Sequence, residues 1–289
     1  MRPSSAFLVV VAWCLAAQAL AYDGRIHQDL TFLAAKHFNR CAARTEIPSL
    51  TPLQIRYLAK TNVGLADRNA FARMFNWRYY DRGAEAEHSV MWAIDTRFHE
   101  HFNEILARID KADSMGRLYS EVGRIINYVQ LVSSPPHTVP VFTSRFWRFS
   151  FSDRFDGYPV DVEAVAQAIG DDCSFLAAEQ EYASVLRAVA TDTIEAVRAP
   201  IEGLPTTWEA FWKLAEDPEN FGEYGPAGNT FGRKTEFRCA QRQRCVLLRD
   251  DPLYATFAAE RHAAAVKGTL AAMLIVQRAQ VETEVAHAE

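Results

Sequence analysis

Residues 118–137 read LYSEVGRIINYVQLVSSPPH. Apolar residues return through 118–132 at the spacing of one helical face, which predicts an amphipathic helix. Ser133-Ser134-Pro135-Pro136 then stop it, because proline has no N–H for the helical ladder and its ring crowds the preceding turn. The same period governs the chain on both sides. In 27–38, Leu30, Phe32, Leu33, Ala34 and Phe38 share one broad face, and Leu53, Ile55 and Leu58 open a second segment of this kind. Residues 88–109 carry Val90, Met91, Ile94, Phe98, Phe102, Ile105 and Ile109 along one stripe. Further helices are predicted at 161–169 and 177–197, a shorter helical piece at 208–214, and a long alanine-rich helix from Tyr254 to about Gln280. Two stretches break the pattern. Residues 139–161, aromatic-rich with Pro140, Gly157 and Pro159, read as irregular structure over the core, and 218–235 as a long loop. The expected fold is an all-α, multi-helix domain with long ordered loops, spanning 22–289 without an internal linker or repeat.

Residues 1–21 read as a signal peptide: Arg2, an apolar run from Ala6 to Leu15, then Ala19-Leu20-Ala21, the small-x-small pattern cut by signal peptidase. The working chain is then expected to begin at Tyr22 and to be exported, to a periplasm or out of the cell. No later run approaches the length of a membrane span. The formal net charge is −5, or −6 once Arg2 is removed, which disfavours a nucleic-acid partner. The one basic stretch, Arg233 to Arg244, lies among turn residues and reads as a solvated loop. Cys14 leaves with the leader, and Cys41, Cys173, Cys239 and Cys245 remain for a compartment that permits disulfides. Four cysteines allow three pairings. Cys239 with Cys245, closing a short polar loop, and Cys41 with Cys173 are favoured, and free thiols are the alternative.

Common catalytic signatures are absent. There is no G-x-S-x-G elbow, no phosphate-cradling glycine loop and no zinc-finger cysteine spacing. Of eight histidines, His99 and His101 point about 200° apart on a helix, a poor chelate. His88 reads as structural, and His262 and His287 sit in exposed-looking, alanine-rich surroundings. His27 and His137 have a bland reading as well, one packing at the start of a helix and the other anchoring a turn.

What remains is an ordered set: the amine of Tyr22, His27 five residues on, Ala66-Asp67, Arg78-Tyr79-Tyr80-Asp81, Asn127 to Leu131 leading into Pro135-Pro136-His137, and Ser152-Asp153-Arg154-Phe155-Asp156. In this order it resembles the zinc-dependent phospholipase C and fungal single-strand nuclease superfamily. Those enzymes are helical and exported, and hydrolyse phosphate esters at three zinc ions. The resemblance places zinc ligands at Tyr22, His27, Asp67, His137 and Asp156. It places lost ligands at Arg78, Asn127, Leu131 and Ser152, where the family has histidine, histidine, aspartate and histidine. Val266-Lys267-Gly268-Thr269-Leu270-Ala271 resembles the family's last helix.

A zinc ion takes about four nitrogen, sulfur or oxygen ligands, and catalysis needs an open position for water. Asp67 with Arg78, Asn127 and Leu131 cannot supply them, Tyr22 and His27 stand alone at a second site, and His137 and Asp156 lack a third partner at another. The resemblance therefore implies an exported protein whose trinuclear zinc site is dismantled, with no cofactor expected beyond weak or vestigial zinc. It implies a non-catalytic or reduced-activity binding protein for an unidentified, phosphate-containing ligand. The alternative is a hydrolase of phosphodiester or other ester bonds working through Asp67, His137 and Asp156. A third reading is a protein partner bound by Phe146, Trp147 and Phe149. Arg78 is expected to replace a lost metal charge by pairing with Asp67, and with Asp156.

Overall fold

The computed structural model describes residues 24–66, 78–80, 82, 97–139, 141, 153–217, 221–240 and 243–288, without the side chains of 66 and 283–288. Among these are seven α-helices: α1 (Gly24–Ala42), α2 (Pro52–Ala66), α3 (Phe98–Ile109), α4 (Met115–Leu131), α5 (Val162–Ile169), α6 (Tyr182–Arg198) and α7 (Pro252–Ala288). Four short strands, β1 (Trp212–Lys213), β2 (Glu223–Tyr224), β3 (Thr235–Arg238) and β4 (Arg244–Leu247), form two antiparallel ribbons, β1–β2 and β3–β4. The fold is all-α, as the periodicities require. None of the described helices is long and apolar enough to cross a membrane.

Helix α4 is the axis of the packing. A helix apolar on one stripe lies on a surface, whereas α4 is buried nearly all round and packs against α1, α2, α3, α6 and α7. Tyr119, Val122 and Ile126 belong to the larger core with Leu30, Phe38 and Leu270. Ile125, Val129 and Leu131 belong to a second core with Phe98 and Phe102 of α3 and Val185 and Leu186 of α6. Two glycines permit the closest approaches. A Cβ on Gly123 would lie 2.5 Å from the Leu58 carbonyl oxygen of α2, and one on Gly268 of α7 would lie 2.5 Å from Val129 of α4. Real Cβ atoms do not come so near, so these positions set how tightly α2 and α7 embrace α4. Beyond Leu131, Pro135 and Pro136 end the helix and open a 3-10 turn, Pro135–His137, which brings His137 back toward the helix end.

Three expectations are corrected. Residues 208–214 are not one helical piece: a 3-10 turn, Trp208–Ala210, runs straight into β1, because Trp208, Phe211 and Trp212 all turn into an aromatic nest with Phe155, Phe231, Tyr254 and Phe257. Their i, i+3, i+4 spacing also suits one face of a helix, which is why the stretch reads as helical in sequence. The basic stretch 233–244 is not a solvated loop. It leads into the β3–β4 hairpin, in which Thr235, Phe237, Cys245 and Leu247 face the core while Arg244 pairs with Glu236 on the outside. That period-two alternation was masked by the arginines. His262 is not exposed but fully buried, its ring 6.0 Å from that of Phe155, since the small alanines of α7 let neighbours close over it on several sides.

Both favoured disulfides form, Cys41–Cys173 tying the end of α1 to the turn after α5, and Cys239–Cys245 closing the hairpin. Tyr22, Asp67, Asp81, His88, Phe146, Trp147, Phe149, Ser152 and residues 1–21 lie outside the described residues, as does the His287 side chain.

The glycine contacts make a direct prediction. Gly123→Ala forces the α2 backbone away from α4 and is expected to cost about 1–3 kcal/mol. Gly64→Ala, on an open face of α2, is expected to be neutral or to stabilise by about 0.5–1 kcal/mol. Urea unfolding of both variants checks the contrast, and equal effects would show that the helices are not in contact at Gly123.

Candidate functional site

The approach of α2 to α4 at Gly123 brings Asn62 against Asn127, four residues further along α4. Around this pair, side chains from α1, α2, α4, α7 and the segment at 78–80 form one buried polar network. Buried polar groups are tolerated only when each finds a partner. Here the partners dictate one another.

The constraint begins at Arg78, whose guanidinium carries donors and no acceptor. Its Nη1 donates to Asn127 Oδ1 at 2.7 Å, its Nη2 donates to the Leu65 carbonyl at 3.3 Å, and its charge lies 5.6 Å from the centre of the Tyr128 ring. With its oxygen taken, Asn127 presents its amide nitrogen to the interior. That nitrogen donates to the carbonyl and Oδ1 of Asn62 at 3.1 and 3.0 Å, and faces His27 Nε2 at 3.3 Å. His27 Nε2 must therefore accept, which puts the ring proton on Nδ1, where it donates to Gln130 Oε1 at 2.7 Å. Gln130 Oε1 also accepts from Asn62 Nδ2, and Gln130 Nε2 donates to Thr31 Oγ1 and to Thr269 Oγ1 of α7. Each threonine passes its own hydroxyl proton to a carbonyl one helical turn back, Thr31 to His27 and Thr269 to Ala265. The polarity runs in one direction, from the cation inward.

This assignment agrees with the electrostatics. Burial pushes the His27 imidazole down to about 4 from its ordinary 6.5; the Gln130 hydrogen bond opposes the shift, and the nearby Arg78 cation adds to it. His137 and Asp156 also act on His27, which places all four charged or titratable groups in one neighbourhood.

His137 fixes the main chain of the Arg78 segment. Its Nδ1 donates to the Arg78 carbonyl at 2.7 Å, and its own carbonyl accepts from the Tyr80 N–H at 2.6 Å. On the other side of the ring, Nε2 lies 3.4 Å from Asp156 Oδ1, an ion pair when the ring carries its second proton. Asp156 is fully buried and accepts from Ser134 Oγ at 2.6 Å. The neighbouring Asp153 is a separate structural anchor, accepting from Trp212 Nε1, the Tyr224 hydroxyl and the Phe155 N–H.

Of the residues singled out from sequence, the structure thus brings His27, Arg78, Asn127, His137 and Asp156 together, and turns Leu131 away into the second core. Tyr22, Asp67 and Ser152 lie outside the described residues, and with them the expected Arg78–Asp67 pair. Among the described residues, Arg78 donates to the Asn127 side chain and to the Leu65 carbonyl. Sequence reasoning missed Thr31, Asn62, Gln130 and Thr269. Polar residues on otherwise buried helix faces were the available signal.

These described residues do not fit a zinc cluster. The His27 lone pair is directed at an amide N–H, Leu131 offers no ligand atom, and His137 Nε2 and Asp156 Oδ1 supply two donors where zinc takes about four. A group of three donors within 4.8 Å does occur among the described residues, at His37, Cys41 and Cys173, but its two sulfurs are bonded to each other.

Two outcomes are expected. Arg78→Met leaves the buried Asn127 oxygen without its donor and should lower stability by about 1–3 kcal/mol at neutral pH, read by urea unfolding. His27 and His262, the latter pushed down to about 4 by burial alone, titrate near 6.5 in the unfolded chain. The unfolded state therefore takes up protons first, so stability is complete above about pH 6.5 and falls as the pH drops toward 4. His262→Leu should reduce the slope of stability against pH in that window by about one proton, and an unchanged slope would show that this ring is charged in the folded protein. Compared with known proteins, the chain finds no significant match to a family model, a curated sequence or a solved structure.

Proposed function

We propose that this chain is an exported binding protein with a phospholipase C and nuclease-like fold, whose trinuclear zinc site has been dismantled and which does not hydrolyse phosphate esters. One observation carries the reading. At positions where the resemblance assigns zinc ligands, Asn127 is hydrogen-bonded to Arg78 on one side and to His27 on the other, with a permanent cation at the head of the chain. A metal ion there would meet a guanidinium and an amide N–H in place of lone pairs. The two disulfides are compatible with export, and so is the absence of a membrane-spanning helix among the described residues.

Chemically, the cluster is built to stay as it is. A general base needs a lone pair within reach of a substrate proton, and the His27 lone pair is occupied. His137 and Asp156, the pair on which a reduced hydrolase would depend, are 5% and 0% exposed at their side chains, so a substrate does not reach them without movement of the chain around them. Their described contacts are positional: Asp156 with Ser134, and His137 with the Arg78 and Tyr80 main chain.

The test is metal content after purification without chelator, together with turnover of bis(p-nitrophenyl) phosphate. Zinc well below one equivalent and turnover no faster than the buffer blank are expected, with His137→Ala unchanged in both. Stoichiometric zinc accompanied by turnover that His137→Ala abolishes would establish the hydrolase instead.

A further inference from the structure

On the outer side of Arg78, α2, α3 and α4 enclose an open cleft of about 600 Å³. Its described lining carries four cations, Lys60, Arg78, Arg108 and Arg124, against one carboxylate, Glu104. In a chain of net charge −5 this is a local reversal of sign. It draws on residues from 60 to 124, so no run of basic sequence announces it.

The arginines are held in place from below. Glu121 of α4, with its side chain 8% exposed, gives one carboxylate oxygen to Arg108 Nε at 3.0 Å and the other to Arg124 Nη1. One buried carboxylate thus orients two guanidinium groups and cancels only one of their charges. Counting Glu121 with the described lining, four cations face two anions. A guanidinium has five N–H donors; Arg124 gives one to Glu121, and Arg108 gives one to Glu121 and lies 3.9 Å from Glu104 through Nη1, so each keeps further donors for the cleft. Arg78 is fixed independently by Asn127 and Leu65, and Lys60 stands exposed at the rim. His101, facing Glu104 at 3.5 Å, adds a titratable group to the same wall. Tyr128, Leu65 and Ile105 supply an apolar side.

Orientation before binding matters because an anion otherwise has to pay for ordering long, flexible side chains. The volume suits a small organic molecule and not a polymer. Planar forks at fixed spacing with a separate ammonium at the rim match a tetrahedral dianion better than a single carboxylate.

We propose that this cleft is a binding site for a small phosphate monoester, its phosphate on Arg108, Arg124 and Lys60 and its organic part against Tyr128. This deepens the binding-protein reading but rests on different residues. Zinc and turnover report on the buried cluster, and phosphate titration reports on the cleft, so either can fail alone.

The experiment is calorimetric titration of the full chain with glycerol 3-phosphate, inorganic phosphate, succinate and glycerol at about 50 and about 150 mM salt. Glycerol 3-phosphate is expected to bind with a Kd of about 1 mM or tighter, weakening at higher salt, while glycerol does not bind. Inorganic phosphate is expected to be weaker by several-fold, because it lacks the part that lies on Tyr128. Arg108→Gln and Arg124→Gln should each weaken glycerol 3-phosphate by about tenfold, and Lys60→Gln, a fully surface change that cannot perturb the core, by about threefold. Binding of glycerol 3-phosphate that these variants leave unchanged would overturn the proposal, as would no binding at about 20 mM. Equal affinity for succinate would overturn the assignment to phosphate.

Discussion

A guanidinium gives hydrogen bonds and cannot take them, and much of the interior of this protein is arranged around that asymmetry at Arg78. Because Arg78 claims the Asn127 oxygen, the Asn127 amide must point inward, and the His27 proton must sit on Nδ1. Gln130 must then turn its oxygen to His27 and its nitrogen to Thr31 and Thr269. Reversing any one amide would set donor against donor at its neighbour. The low affinity of His27 for a proton comes first from burial, and the Arg78 cation adds to it; a charged ring would also have to point its Nε2–H at the Asn127 N–H.

The network is affordable only because the helices holding it come unusually close. Gly123 lets α2 settle onto α4, so that Asn62 reaches Asn127 directly, and Gly268 lets α7 approach on another side, so that Thr269 reaches Gln130. Helix α4 therefore plays two parts. Its apolar residues divide between two cores, and its two amide residues, three positions apart, collect the polar groups of four other segments. Leu131 marks the boundary. It lies beyond Asn127 on the same helix, yet belongs wholly to the apolar side with Phe98 and Val185.

Helical spacing made the architecture legible, since six of the helices carry a periodic apolar pattern and Pro135-Pro136 announce the end of α4. The favoured cysteine pairing was legible for a related reason, because a short polar loop between Cys239 and Cys245 leaves little else to close. The β3–β4 hairpin was not, because Arg233, Arg238, Arg242 and Arg244 are interspersed with its inward-facing residues and four-residue strands give a period of two little room. His262 was misread because alanines suggest exposure when counted, although a helix of small residues is the kind that others can surround. At the candidate site, the order of His27, Arg78, Asn127 and His137 along the chain pointed to one cluster, but which way each amide faces is a property of partners far apart in sequence. Asn62 and Thr269 are separated by more than two hundred residues and meet through one glutamine. The same distance in sequence hides the basic cleft, whose charge comes from side chains of three helices and one loop.

The bond from Gln130 to Thr269 has a consequence for how the molecule is made. Every other described member of the network lies at or before residue 130, so a growing chain can bring α1, α2, α4 and the 78–80 segment together well before α7 has been synthesised. Until then the Gln130 amide has one donor without its final partner, and the groove that α7 fills is open to water. Completion of the polar core is thereby linked to arrival of a late segment. In the folded protein α7 is the closing stave: its close approach at Gly268 brings Thr269 to Gln130 and gives the polar core its last described partner.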